Sequence, residues 1–185
     1  MAHVPTDEVR FISHSREETI EVGKQLGELV KPNDVFILTG DLGAGKTQLT
    51  KGIAEGMGIT ADVTSPTFTI EMVYTGPNLS LYHFDLYRID DADQLEDTGI
   101  FDVLGAGDVC VIEWGEQFSE ELGEERIDVF LVRLESDQHD SDGQTSASQD
   151  ELGVEPAREI RLVAHDARGE ELLSALSEKL KKFSK

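Results

Sequence analysis

The sequence predicts an α/β fold built on a mixed sheet, and three observations predict it. A short apolar run, Val35–Thr39, enters a glycine-rich loop and then a stretch with apolar residues at helical spacing, Leu49, Ile53 and Met57. That order, strand then loop then helix, is the unit of layered α/β domains. Two further runs, 69–74 and 81–87, flank the turn signal Gly76-Pro77-Asn78 and read as an antiparallel hairpin. Three more runs, at 109–112, 126–134 and 159–164, are apolar enough to be strands, and a helical stripe closes the chain.

The elements follow in chain order. Ser15-Arg16-Glu17-Glu18 has the form of a capping box, and Val22, Leu26 and Leu29 keep one face of a helix over 16–30. Pro32-Asn33-Asp34 ends it. The strand 35–39 and the helix after the loop follow, the helix ending at Gly56 and Gly58. After the hairpin, Asp90 to Gly99 predicts a short helix plus loop. In 126–134 apolar residues fill both alternations, so that strand is expected to be covered at least partly on both faces. The last helix, 167–183, carries Leu172, Leu176 and Leu180 on one stripe, with Lys179, Lys181 and Lys182 at its negative dipole end.

Composition bounds the rest. A chain of 185 residues fits one domain, at roughly 100–200 residues per domain. At 38% apolar it can bury a core. No apolar run approaches the ~18 residues of a membrane span, and Met1 to Glu8 lacks the basic start and apolar core of a signal peptide. One cysteine, Cys110, excludes an internal disulfide and fits a reducing compartment, so a cytoplasmic protein is expected. There are 38 acidic against 16 basic side chains, a net charge of −22. Gripping a phosphate backbone needs clustered Lys and Arg, and here the basic residues are scattered. A free-standing nucleic-acid binder is therefore excluded. From Glu135 to Glu155 there are seven acids and no base. Such a stretch cannot bury enough apolar surface to offset its ordering entropy, so 135–157 is expected to be a disordered insert within the single domain 1–185.

Gly40-Asp41-Leu42-Gly43-Ala44-Gly45-Lys46-Thr47 matches G-x-x-x-x-G-K-[ST]. Glycines let successive backbone N–H groups turn toward one phosphate cluster, and the helix N-terminus adds partial positive charge. Lys46 is placed to reach the β- and γ-phosphates, and the Thr47 hydroxyl to ligate Mg²⁺. The motif follows an apolar strand and opens a helix, which is the context it requires. One lysine and a ring of backbone dipoles can hold a nucleotide even in a very acidic chain.

Such a loop needs an acid for Mg²⁺ and a group to orient the attacking water. Asp85 ends the run Leu81-Tyr82-His83-Phe84, and Glu113 ends Val109-Cys110-Val111-Ile112. Acids at the carboxyl ends of buried strands lie where α/β sheets bind ligands. The two roles are not divided between them by sequence. Thr64, Ser65 and Thr67 around Pro66 form a hydroxyl cluster suited to a switch-like loop that senses the γ-phosphate. Cys110, mid-strand, reads as core, and the histidines have no metal-like spacing; His83 lies near Asp85. Trp114 could serve a base, a partner or the core. No N-K-x-D element is present, which disfavours a guanine-specific GTPase, and no basic residue stands between Arg88 and Arg126 to furnish a kinase-type arginine lid.

Four motifs in order, Gly40–Thr47, Thr64–Phe68, His83-Phe84-Asp85-Leu86-Tyr87-Arg88 and Ile112-Glu113-Trp114-Gly115-Glu116, resemble the TsaE (YjeE) family of small bacterial P-loop ATPases. The resemblance spans roughly 10–134 and resumes in 158–183; the insert is outside it. It implies a P-loop NTPase-like three-layer sandwich whose sheet is interrupted by antiparallel strands. It also implies an ATP-hydrolysing subunit that acts with TsaD and TsaB in forming the threonylcarbamoyl modification on the tRNA adenosine next to the anticodon. Carried onto this chain, Asp41, Leu42, Gly43, Ala44, Gly45, Lys46, Thr47, Gln48 and Thr67 bind nucleotide, with ATP and Mg²⁺ as cofactors. Thr47, Asp85 and Glu113 hold the metal, and Glu113 and Lys46 are catalytic. Trp114 and Arg88 match motif positions without an assigned role. The charge implies that the partners carry the tRNA. The rival expectations are a P-loop kinase of a small metabolite and a nucleotide-dependent interaction module with negligible turnover.

Overall fold

The computed structural model describes residues 7–135 and 155–181. Residues 136–154, most of the insert expected to be disordered, lie outside them. Seven strands, β1 (Glu8–Ser13), β2 (Val35–Thr39), β3 (Glu71–Tyr74), β4 (Leu81–Asp85), β5 (Val109–Glu113), β6 (Ile127–Arg133) and β7 (Arg158–Ala164), form one sheet. Its order is β1-β7-β6-β2-β5-β4-β3. The central pairs β6/β2, β2/β5 and β5/β4 are parallel. The outer pairs β1/β7, β7/β6 and β4/β3 are antiparallel. The mixed sheet and the hairpin are as predicted.

The period of two along β2 divides the molecule into three layers. Phe36 and Leu38 face a core shared with α1 (Arg16–Gly27), α2 (Lys46–Gly56) and α6 (Ala167–Lys181). Val35 and Ile37 face a second core with α3 (Ala92–Asp97), α4 (Ile100–Val103) and α5 (Ser119–Leu122). Both faces of β2 and β5 are covered, which is why their sequences are continuous apolar runs. Along β6 buried residues alternate with partly buried ones as far as Leu131, so both faces are covered at least in part, as expected, and only Val132 and Arg133 are exposed.

Helix α2, which carries the loop lysine, is fixed by an unusually close approach to α1. A Cβ on Gly27 would lie 2.1 Å from the Ile53 carbonyl oxygen, and one on Gly52 would lie 2.1 Å from that of Ile20. Gly23 and Gly27 on α1 face Gly52 and Gly56 on α2, each pair one helical turn apart, so the two backbones touch with no side chain between them. The capping box is half as expected. Ser15 Oγ accepts from the Glu18 N–H at 3.1 Å, but the Glu18 carboxylate accepts from the His14 N–H, one residue upstream of the expected donor.

Several boundaries differ from the sequence expectation. Helix α1 stops at Gly27 rather than near 30, capped by Glu28, whose N–H bonds back to Lys24. The hairpin strand begins at Glu71, because the Thr69 and Ile70 N–H groups turn back to the Pro66 carbonyl and Ile70 adopts φ 66°. Its partner ends at Asp85. Strand β1, the short α4 and the helical turns over 116–122 were not expected. For β1 a signal existed: Val9 and Phe11 alternate with Glu8 and Arg10 and pack against the larger core. Lys179 bonds Glu28 and, at 3.1 Å, Gln25, and so ties α6 to α1.

Candidate functional site

The Gly40–Thr47 loop joins β2 to α2 at the carboxyl edge of the parallel strands. Gly43 (φ 77°) and Gly45 (φ 109°) take left-handed backbone, which favours glycine, and Gly45 is the N-cap of α2. Lys46 is 7% exposed; its Nζ donates to the Gly40 carbonyl and, at 3.1 Å, to that of Asp41. The ammonium also stands 5.0 Å from the Trp114 ring centroid, a cation–π distance. The lysine is thus held back along its own loop, with its charge at the loop mouth.

On one side of the loop, β4 and β5 bring Asp85 and Glu113 opposite each other in register. Both carboxylates are buried, at 6% and 4% exposure. Asp85 Oδ1 accepts from the Tyr87 N–H at 3.0 Å. Glu113 Oε1 lies 2.9 Å from Nε2 of His83, which is wholly buried. A carboxylate only accepts, so His83 holds its proton on Nε2 and donates it. His83 therefore fixes one oxygen of Glu113 and leaves the other free. Trp114, with φ 58°, turns out of β5 and meets Tyr87 edge-on at 5.1 Å.

These groups open on one cavity of about 730 Å³. Lys46, Thr47, Gln48, Thr67, Asp85, Glu113 and Trp114 line it, as do Leu42, Gly43 and Gly45 of the loop. Asp41 and Ala44 do not: the Asp41 side chain is exposed, Ala44 is buried, and their carbonyls accept from Lys46 and Arg158. The hydroxyl cluster is split. Ser65 and Thr67 line the cavity, 2.9 Å apart at their hydroxyls, whereas the Thr64 N–H bonds Tyr74 Oη in the hairpin. Arg88 stays outside the cavity, stacked 5.2 Å from the Phe68 ring. Cys110 is buried, and burial pushes its thiol up to about 12, so it is inert core.

The opposite side of the loop carries residues that the sequence reasoning missed. Arg133 ends β6 and Arg158 begins β7, and the two are register partners. Arg133 donates to the Gly43 carbonyl at 3.0 Å, and Arg158 to that of Ala44 at 3.3 Å. Both line the cavity, with Arg16, whose Nε donates to Gln48 Oε1 at 2.9 Å. The only sequence signal was an arginine at each end of an acidic insert, and it becomes meaningful only once the strands pair.

The donor set suits Mg²⁺. That ion takes one or two carboxylates together with substrate phosphates and water. Two buried carboxylates side by side and a hydroxyl, on a cavity that opens to a phosphate loop, meet that description. Among the described residues no cluster of three His, Cys, Asp or Glu side chains forms a stand-alone cage.

Sheet order, loop and site together define a P-loop NTPase-like α/β protein. The model of the family described as "Threonylcarbamoyl adenosine biosynthesis protein TsaE" matches residues 13–142. The TsaE protein of Bacillus subtilis is 44% identical over 124 residues, which is 67% of this chain and 77% of that protein. The TsaE protein of Haemophilus influenzae is 39% identical over 140 residues, 76% of each chain. The crystal structure of YdiB from Bacillus subtilis superposes with a TM-score of 0.73 at 34% identity, covering 96% of this chain and 99% of that one. The chain belongs to the TsaE family.

Proposed function

We propose that this chain is the ATP-binding and ATP-hydrolysing subunit of a tRNA threonylcarbamoyladenosine-forming system. The observation that carries the proposal is the convergence of the lysine loop and the buried Asp85–Glu113 pair on one cavity. The curated relatives are named as tRNA threonylcarbamoyladenosine biosynthesis proteins, which supplies the pathway.

In this reading the loop N–H groups and Lys46 bind the β- and γ-phosphates. Thr47, Asp85 and Glu113 would hold Mg²⁺, which when bound neutralises charge on the phosphate oxygens. Glu113 Oε2, left free by His83, orients the water that attacks the γ-phosphorus; the water oxygen joins phosphorus as the bond to the ADP oxygen breaks. Ser65 and Thr67 lie where a γ-phosphate would be sensed. The tRNA is held by TsaD-like and TsaB-like partners in the cytoplasm, since a chain of net charge −22 repels a phosphate backbone. Among the described residues no helix is long and apolar enough to cross a membrane.

Reconstitution tests this. The two partner proteins, tRNA, threonine, bicarbonate and ATP are combined with and without the chain, together with any further enzyme needed to activate threonine. Modification exceeding one equivalent of complex only when the chain and ATP are both present is the expected result. No gain over multiple turnovers, or label from γ-labelled ATP appearing on anything other than phosphate, contradicts it.

A further inference from the structure

We infer that the outer face of the β1-β7-β6 flank docks a protein partner of the tRNA-modifying system, one that presents an apolar patch ringed by basic side chains. The inference rests on the functional reading above and gives it a surface separate from the nucleotide cavity.

The three layers of the fold are incomplete on this flank. Val129, Leu131, Ile160 and Leu162 of β6 and β7 belong to the larger core, and Val9 and Phe11 of β1 pack against it. No residue of these three strands belongs to the smaller core, so the layer of α3, α4 and α5 stops short of them. Alternation along the strands turns Ile12, Phe130 and Val132 to the uncovered side. Ile12, Glu159 and Val132 are register partners and form one row across the strands; Arg10, Arg161 and Phe130 form the next. Leu134 extends the apolar side of β6, because its N–H bonds the Ala157 carbonyl at 2.7 Å and so continues the ladder. Ile12 is 47% exposed, Val132 52% and Leu134 37%, and none of them lines the cavity. Single exposed apolar side chains are ordinary, but a contiguous set on an uncovered sheet face marks an interaction surface.

Charge selects the occupant. Across this face the ionic groups cancel. Arg10 pairs with Glu8 at 2.6 Å and Glu159 at 4.0 Å, Arg161 pairs with Glu8 at 3.6 Å, and Arg126 holds Asp128 at 3.0 Å. Arg161 also lies 4.2 Å over the Phe130 ring, flat on the sheet. The face is thus neutral within a chain of 38 acids and 16 bases. Its rim is acidic: Asp7 ahead of β1 and Glu135 beyond Leu134 are exposed, and neither has an ion-pair partner among the described residues. An apolar centre inside a polar rim is the anatomy of a protein interface, and an acidic rim fits a basic one. A second copy brings the same acids and a further net charge of −22, and tRNA brings phosphates, so both are repelled. Partners that hold tRNA need basic surfaces, which is the complement this face requires.

Calorimetric titration of the full chain with the purified TsaD-like and TsaB-like proteins, in Mg²⁺ and ATP, tests the inference. Val132→Glu puts an unpaired charge at the centre of the face and is expected to weaken partner binding by about tenfold or more. The ATP affinity of the chain alone should stay within about twofold of wild type. Ile12→Glu should act in the same way from β1. Glu135→Lys should weaken partner binding by a smaller factor that disappears at high salt. Thermal unfolding checks that each variant is folded, and if Val132→Glu is not, Ile12→Glu carries the test. Wild-type partner affinity in the folded glutamate variants would overturn the inference. A loss confined to self-association, or to tRNA binding by the chain alone, would overturn it as well. A wild-type chain that binds ATP but neither partner would bring down the reading of a complex subunit, and this occupant with it. One that binds the partners but not ATP would bring down the ATP reading and leave the docking face standing.

Discussion

On the β4–β5 side of the phosphate loop two carboxylates are buried next to each other in register; on the β6–β7 side two guanidiniums meet in the same way. On the acid side His83 and the Tyr87 N–H each hold one carboxylate oxygen, and on the arginine side Arg133 and Arg158 each hold a carbonyl of the loop. Each side leaves one buried nitrogen unpartnered among the described residues, His83 Nδ1 and Arg158 Nε, so the two sides differ in the sign of their charge. The contrast gives the loop a direction. Under the proposed function, metal and water belong to the acid pole.

The largest expected effect is at the shared centre. Lys46→Ala removes the buried lysine of the loop itself and should weaken ATP binding on the order of a hundredfold or more, read by titration with a fluorescent nucleotide. Native-like ATP affinity in that variant would break the comparison at its root. The next effect is structural. Gly27→Ala drives a methyl into the Ile53 carbonyl and should destabilise the fold by about 1–3 kcal/mol, read by denaturant or thermal unfolding. An unshifted transition would mean that the α1–α2 approach does not set the position of α2.

A smaller effect sharpens the acid pole. His83→Gln replaces the donor to Glu113 and should slow ATP hydrolysis about tenfold, with the loss in turnover rather than in nucleotide affinity. His83 is a positioning residue, so an affinity loss without a turnover loss would reassign it. The smallest effect is expected in the insert. Replacing residues 137–153 by a short Gly/Ser linker keeps Arg133 and Arg158 in register and should change ATP affinity less than twofold, roughly 0.4 kcal/mol. A tenfold change would show that the acidic stretch acts on the arginine pole.

The acid pole was legible in the sequence and the arginine pole was not, for a physical reason. Asp85 and Glu113 each end a continuous apolar run, so their place at a strand's carboxyl end follows from pattern alone. Arg133 and Arg158 belong to strands whose pairing is a long-range event across the insert, and nothing local says that they meet. His83 was read as near the site, but its bond to Glu113 depends on parallel register between β4 and β5. The Gly-x-x-x-Gly spacings at 23–27 and 52–56 were visible, yet their meaning needs two helices in contact. The class of fold, the loop and the hairpin were legible because each is set by residues close in sequence.

Nucleotide binding and phosphate release measured side by side, in the wild-type chain and in Glu113→Ala with the partner proteins present, test the central claim most directly. The account predicts that Glu113→Ala still binds Mg²⁺-ATP while phosphate release falls by about a hundredfold or more, since the free Glu113 oxygen orients the attacking water. Phosphate release at the wild-type rate in Glu113→Ala would contradict it.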